Sequence, residues 1–186
     1  MPTLCCILKN YNQINIPKGG LVHAYSSHVA SGHHSDIITK EFGIAKAGWK
    51  IQTFNSKKED QTIINNAIDG NPNTYWVSSK KRKNKHQYIV IDLKEEIDVS
   101  GFGYLPPKLG FKGTIFKYAF YTSLDGENWG EPVSSGEFSN IENNPIAQII
   151  KLDKAIKSRY IKLISLSTVK NSNVCSVAEI DVFIDN

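Results

Sequence analysis

Apolar residues recur at every second position in several separate stretches of this 186-residue chain. Ile89, Ile91 and Leu93 alternate with Tyr88, Val90 and Asp92; Ile161 and Leu163 with Tyr160 and Lys162; Ile180, Val182 and Ile184 with Glu179, Asp181 and Phe183. Successive side chains of a strand point to opposite faces, so this period puts one row on a core and the other outward. The Tyr- and Phe-rich run Ile115 to Leu124 reads as another strand, closed by the turn Asp125-Gly126 before Trp129. The one helical pattern, Asp60 to Ile68, is about two turns long. Many strands with turns between them and no strand–helix alternation predict an all-β chain, an antiparallel sandwich or barrel.

Residues 1–45 differ from this pattern. They hold four of the five histidines, a Pro17-Lys18-Gly19-Gly20 turn and a Ser/Gly/His-rich piece from Ser26 to Ser35. Gly20–Tyr25 and Ile37–Phe42 read as two extended strands, too few to bury a core alone. This is an N-terminal appendage or linker that packs on the regular domain, residues 46–186, or on a neighbour. No internal repeat is visible.

Several classes of protein are excluded. The run Leu4-Cys5-Cys6-Ile7-Leu8 is far below the roughly 20 apolar residues of a membrane span. It also lies too near Met1, with no basic segment before it, to read as a signal peptide. Three cysteines, two of them adjacent, have neither disulfide-framework nor zinc spacing. Lys80-Lys81-Arg82-Lys83-Asn84-Lys85 carries five positive charges, so the net charge of +4 becomes −1 without it. A nucleic-acid face spreads its cations and interleaves aromatics, whereas this is one solvated loop, so no nucleic-acid partner is expected.

The most specific stretch runs from Asn66 through Asp69-Gly70-Asn71-Pro72-Asn73-Thr74 to Trp76. Gly70 permits a positive φ, Pro72 stiffens the bend, and Asp69, Asn71 and Thr74 bring oxygens close together. Such oxygens suit a hard cation such as calcium, but the twelve-residue EF-hand spacing is absent. On chemistry alone the stretch is either a metal loop or a plain Asx-rich turn.

With these residues the chain resembles the coagulation factor 5/8 type C, or discoidin-like, domains, and within them the bacterial family-32 carbohydrate-binding modules. The blocks that carry the resemblance are Trp49, Ala67–Trp76, Tyr88–Leu93, Gly101–Pro106, Lys117–Trp129, Gly136–Phe138, Ser158–Leu163 and Ala178–Phe183. The resemblance implies a discoidin-like jelly-roll β-sandwich. It also implies a structural Ca2+ held by Asn66, Asp69, Asn71, Thr74, Ala178 and Glu179, with carbonyls from Asn66 and Ala178. Trp49 and Trp76 are expected as anchors of the core rather than sugar platforms. A narrower likeness, through Ser35–Lys40, Gly48-Trp49-Lys50, Leu105-Pro106-Pro107 and Gly136–Pro145, is to the C-terminal module of family-29 α-L-fucosidases. It implies a glycosidase catalytic domain as partner, and a location outside the cytoplasm, extracellular or periplasmic.

Galactose-binding relatives place a His after the loop Trp, an Arg after Leu-Pro and an aromatic before Ala-Glu-Ile. Here those positions are Val77, Pro107 and Cys175. Ser78, Lys108, Phe111 and Asn173 on the same loops are the candidate replacements, Phe111 as a flat apolar platform. The implied ligands are glycans ending in galactose-, hexosamine- or fucose-type sugars. A packing module without a sugar site, or an adhesion module for membranes or proteins, is the alternative.

Catalysis is not expected. Glu95-Glu96 and Glu59-Asp60 are sequence neighbours and cannot flank a cleft as glycosidase carboxylates do. His33-His34 lacks a zinc-hydrolase spacing, Cys175 reads as a small buried apolar residue, and no nucleophile elbow or phosphate loop is present.

Overall fold

The computed structural model describes residues 16–28, 30–54, 63–78, 86–108 and 112–185, without the side chains of 53 and 54. Cys5, Cys6, Glu59, Asp60, the basic run 80–85 and Phe111 lie outside the described residues. The strands, in chain order, are β1 (Gly20–Ala24), β2 (Ile38–Phe42), β3 (Lys50–Phe54), β4 (Trp76–Val77) and β5 (Gln87–Leu105). They continue with β6 (Ile115–Ser123), β7 (Ser134–Glu137), β8 (Gln148–Thr168), β9 (Ser176–Val177) and β10 (Glu179–Ile184). Where a two-turn helix was expected, the described part is a single 3₁₀ turn, Ile64–Ala67, that buries Ile64 and Ala67. Asn65 and Asn66 in its middle favour turns over helix propagation.

The architecture follows from two long strands that bend. β5 pairs with β8 over nearly its whole length, but the register shifts between Asp92 and Ile97 and again between Val99 and Gly101. Lys94 sits at the first break with φ 74°, and its N–H donates to Asp92 Oδ1 at 2.8 Å. Such irregularities bend a strand. The first half of β5 thereby lies in one layer beside β3, and the second half in the other beside β10. At Gly101 the fold requires glycine, since a Cβ there would meet Ile150 O at 2.6 Å.

Between the layers Phe102 stacks on Phe120 at 4.0 Å, and Tyr118 and Tyr104 both stack on Phe138. Ile89, Ile91, Leu93, Ile161, Leu163, Ile180 and Val182 fill the same core, as their alternation predicts. Val90 and Asp92, the outward row of that pattern, are buried too. Asp92 is admitted because Arg159 binds it with two hydrogen bonds of 3.0 Å. Trp49 and Trp76 are both buried in the core.

β1 and β2 form a separate antiparallel hairpin. Ile37 and Ile38 on it remain largely exposed. The hairpin is tied to the sandwich through the following segment, where Ile44 N–H donates to Val182 O and Ala45 N–H to Pro17 O, each at 2.9 Å.

Candidate functional site

The loop from Asn66 to Thr74 closes on itself. Asp69 Oδ1 accepts the Asn71 N–H at 2.8 Å, and its Oδ2 accepts the Thr74 hydroxyl at 2.7 Å. That hydroxyl also lies 2.8 Å from Asn71 O, while Asn66 Nδ2 donates to Tyr75 O at 3.2 Å. Opposite stands Glu179 at the start of β10, brought there by the antiparallel pairing of Trp76 with Val177. The carboxyls of Asp69 and Glu179 interact directly.

Two acidic groups in contact need a positive partner. Lys46 Nζ supplies part of it, bound to Glu179 Oε2 and lying 2.9 Å from Asp181 Oδ1. Glu179 Oε1, however, is buried with no hydrogen-bond partner among the described residues. Burial pushes the Glu179 carboxyl up to about 7 despite the Lys46 ammonium beside it. Burial acts on Asp69 in the same sense. There the Asn71 N–H, the Thr74 hydroxyl, Glu179 and Lys46 outweigh it and hold the carboxyl below its ordinary value. Among the described residues no three His, Cys, Asp or Glu side chains converge as a metal-binding group. A cation here would therefore rest on two carboxylates plus neutral oxygens, a donor chemistry that fits a hard ion and not zinc.

The other end of the β4–β9 ladder gathers the loops that the sequence marked for sugars. Ser78 N–H donates to Cys175 O at 2.8 Å, and Cys175 N–H donates to Ser78 Oγ at 2.9 Å. Thr114 bridges Ser176 in parallel, and Ser176 N–H donates to Gly113 O. Beneath them the buried Tyr104 hydroxyl donates to Ser176 O at 2.8 Å and accepts the Ile115 N–H at 3.0 Å. Gly113 has φ +94°, and a Cβ on it would strike Val174 O at 2.9 Å.

The candidate sugar residues divide accordingly. Ser78 is buried, its hydroxyl engaged as a strut between loops. Lys108 and Asn173 are exposed on the rim. Pro107 and Cys175 are buried, and burial pushes the Cys175 thiol up to about 12. Beside the rim opens a groove of about 860 Å³ whose walls include Asn173, Lys112, Asn143, Lys170 and Glu142. Lys170 and Glu142 face each other at 3.8 Å. Lys112, Asn143 and Lys170 were not anticipated, because the 140–145 and 168–173 loops are separated in sequence by the whole of β8 and meet only in the fold.

The histidine-rich segment has local partners: His23 Nδ1 meets Thr39 Oγ1, His28 Nδ1 meets Ser31 Oγ, and His34 packs edge-on to Tyr25. Glu95 and Glu96 are exposed, Glu96 facing Lys157 at 3.8 Å.

A two-layer antiparallel sandwich with a locked loop cluster at one end has the architecture of a discoidin-like domain. Residues 50–180 match the model of the F5/8 type C domain, and the chain belongs to that family. A sialidase of Micromonospora viridifaciens is 33% identical over 179 residues, covering 91% of this chain and 27% of the sialidase. A galactose oxidase of Gibberella zeae is 31% identical over 153 residues, covering 75% of this chain and 20% of the oxidase. The chain thus spans about a fifth to a quarter of these relatives. Among solved structures, the CBM32-3 module of a family 31 glycoside hydrolase from Clostridium perfringens superposes with TM-score 0.67 at 26% identity, covering 77% of this chain and 95% of that module. The CpGH89 CBM32-5 module of the same organism, in complex with GalNAc-β-1,3-galactose, gives TM-score 0.63 at 25% identity, covering 76% and 99%.

Proposed function

We propose that this chain is a carbohydrate-binding module that holds terminal sugars of glycans at the loop end of its sandwich. The observation that carries the reading is the exposed Asn173, two residues before the Cys175 that Ser78 holds, lining the groove together with Lys112 and Lys170. An amide and ammonium groups donate to sugar hydroxyls, while Ile141 and Val169 give the groove an apolar floor. The ligand class is galactose-, hexosamine- or fucose-type termini; the related module's complex with GalNAc-β-1,3-galactose supports the first two, and the sequence resemblance alone the third. The module serves a glycoside hydrolase acting outside the cell, of the α-L-fucosidase type on the sequence resemblance. A glycan array followed by calorimetry tests this. Selective binding that Asn173→Ala weakens at least tenfold is expected; silence across the array overturns it.

The second proposal is a structural calcium ion. Asp69 and Glu179 would hold it, with Asn71, Thr74 and the carbonyls of Asn66 and Ala178. The buried, partnerless Glu179 Oε1 supports this, and the ion would supply the positive charge that the carboxylate pair lacks.

A packing module without sugar binding is favoured by one observation: Val77, Pro107 and Cys175 replace three ligand-contacting side chains, and two of them are buried. The array result separates the two readings.

A further inference from the structure

The position of Lys46 makes the cation cluster unusual. Its side chain is only 14% exposed and its ammonium touches two carboxylates, Glu179 at 6% side-chain exposure and Asp181 at 37%. Glu179, buried, also faces the exposed Asp69, so the two carboxyls and the lysine meet in one oxygen cluster. The lysine backbone cannot retreat. Ile44 is bonded to Val182 on one side of it, and on the other Trp49 N–H donates to Lys46 O at 3.1 Å while the indole is buried. Only the side chain can swing, and Asp181 is a second perch already within reach. The three carboxylates and the lysine sum to a charge of −2, which a divalent ion neutralises.

We propose that Lys46 is a tethered cation that neutralises Glu179 when the cluster is metal-free and yields Glu179 to a divalent ion by shifting onto Asp181. This rests on the calcium reading above. The lysine keeps the empty cluster folded and, for the same reason, weakens its hold on metal.

Calcium titration of the full chain by calorimetry, with melting in chelator, tests the exchange in wild type, Lys46→Met, Lys46→Arg and Asp181→Asn. Lys46→Met should bind calcium more tightly by about tenfold or more, the order expected when a unit charge a few ångströms from a divalent ion is removed. It should melt below wild type in chelator, with the gap closing at saturating calcium. Lys46→Arg should stay near wild type, and Asp181→Asn, which removes the second perch, should bind more weakly. Equal calcium affinity in wild type and Lys46→Met would overturn the exchange and leave the calcium site standing. Absence of calcium binding in every variant would remove both. Should Lys46→Met fail to fold, the Asp181→Asn affinity decides: unchanged affinity overturns the exchange.

Discussion

Ser78 and Cys175, 97 positions apart in the chain, hold each other through two backbone-anchored hydrogen bonds of 2.8 and 2.9 Å. That pairing extends the short ladder of β4 and β9 by one step and fixes the loops that carry the proposed sugar site. Replacing Ser78 by Ala leaves the buried Cys175 N–H without its acceptor. A loss of about 1–2 kcal/mol is expected in chemical unfolding. Glycan affinity should fall with it, although Ser78 does not reach the surface.

The Cys175 thiol is buried and pushed up to about 12. A thiolate is the reacting form, so this group should stay inert. In a chain carrying Cys5→Ser and Cys6→Ser, Ellman's reagent at pH 8 should label nothing until denaturant is added. Rapid labelling of the native protein would show that the loop end opens.

Tyr104→Phe should cost about 1–3 kcal/mol, because it strands the Ser176 carbonyl and the Ile115 N–H in the interior. The ring itself packs identically, so the core should survive. A smaller loss in a denaturant titration would mean that water reaches both groups.

Asp92 is held below its ordinary carboxyl range, first by the Arg159 hydrogen bonds and against the effect of burial. Its stabilising contribution is therefore present above about pH 4, the unfolded value, and is lost as pH falls through the lower folded value. Melting temperature against pH should drop less steeply below pH 4 in Asp92→Asn than in wild type. At pH 7 the variant should be the less stable of the two.

Chelation should lower the melting temperature of the wild-type chain if the Asp69–Glu179 cluster holds calcium as proposed. In Glu179→Gln the response to chelator should vanish. A chelator response that persists in Glu179→Gln would place the ion elsewhere.

The sandwich was legible because its strands obey a two-residue period, and Ile89, Ile91 and Leu93 lie where that period puts them. The bend of β5 was not. The alternation was followed only as far as Leu93, whereas the chain passes through Lys94-Glu95-Glu96 at Lys94's positive φ and continues the same strand in the other layer. The burial of Asp92 was equally hidden, since it depends on Arg159 from 67 residues away. For the site, the oxygen-rich turn at Asp69 declared itself by local composition. The lysine against Glu179 did not, being 133 residues distant and carried by the segment that follows the appendage. Ser78 shows the opposite error: a polar residue at a suggestive place, turned inward by a backbone partner that no local pattern reveals.

The β4–β9 ladder joins Trp76 and Val77 to Ser176 and Val177, with the oxygen cluster at one end and the loops of the proposed sugar site roughly 13 Å away at the other. Part of each belongs to residues 66–78 and part to residues 172–181, with Lys46 added to the cluster and Lys112, Glu142 and Asn143 to the groove. During synthesis the earlier part waits, incomplete, while almost a hundred residues between 78 and 172 are made. A chain cut short before residue 172 would still possess most of its strands, yet would lack Asn173, Cys175, Ala178 and Glu179, and with them one flank of each proposed site. On the proposed function, binding is thus a late event in the molecule's own assembly, available only to copies that have been finished.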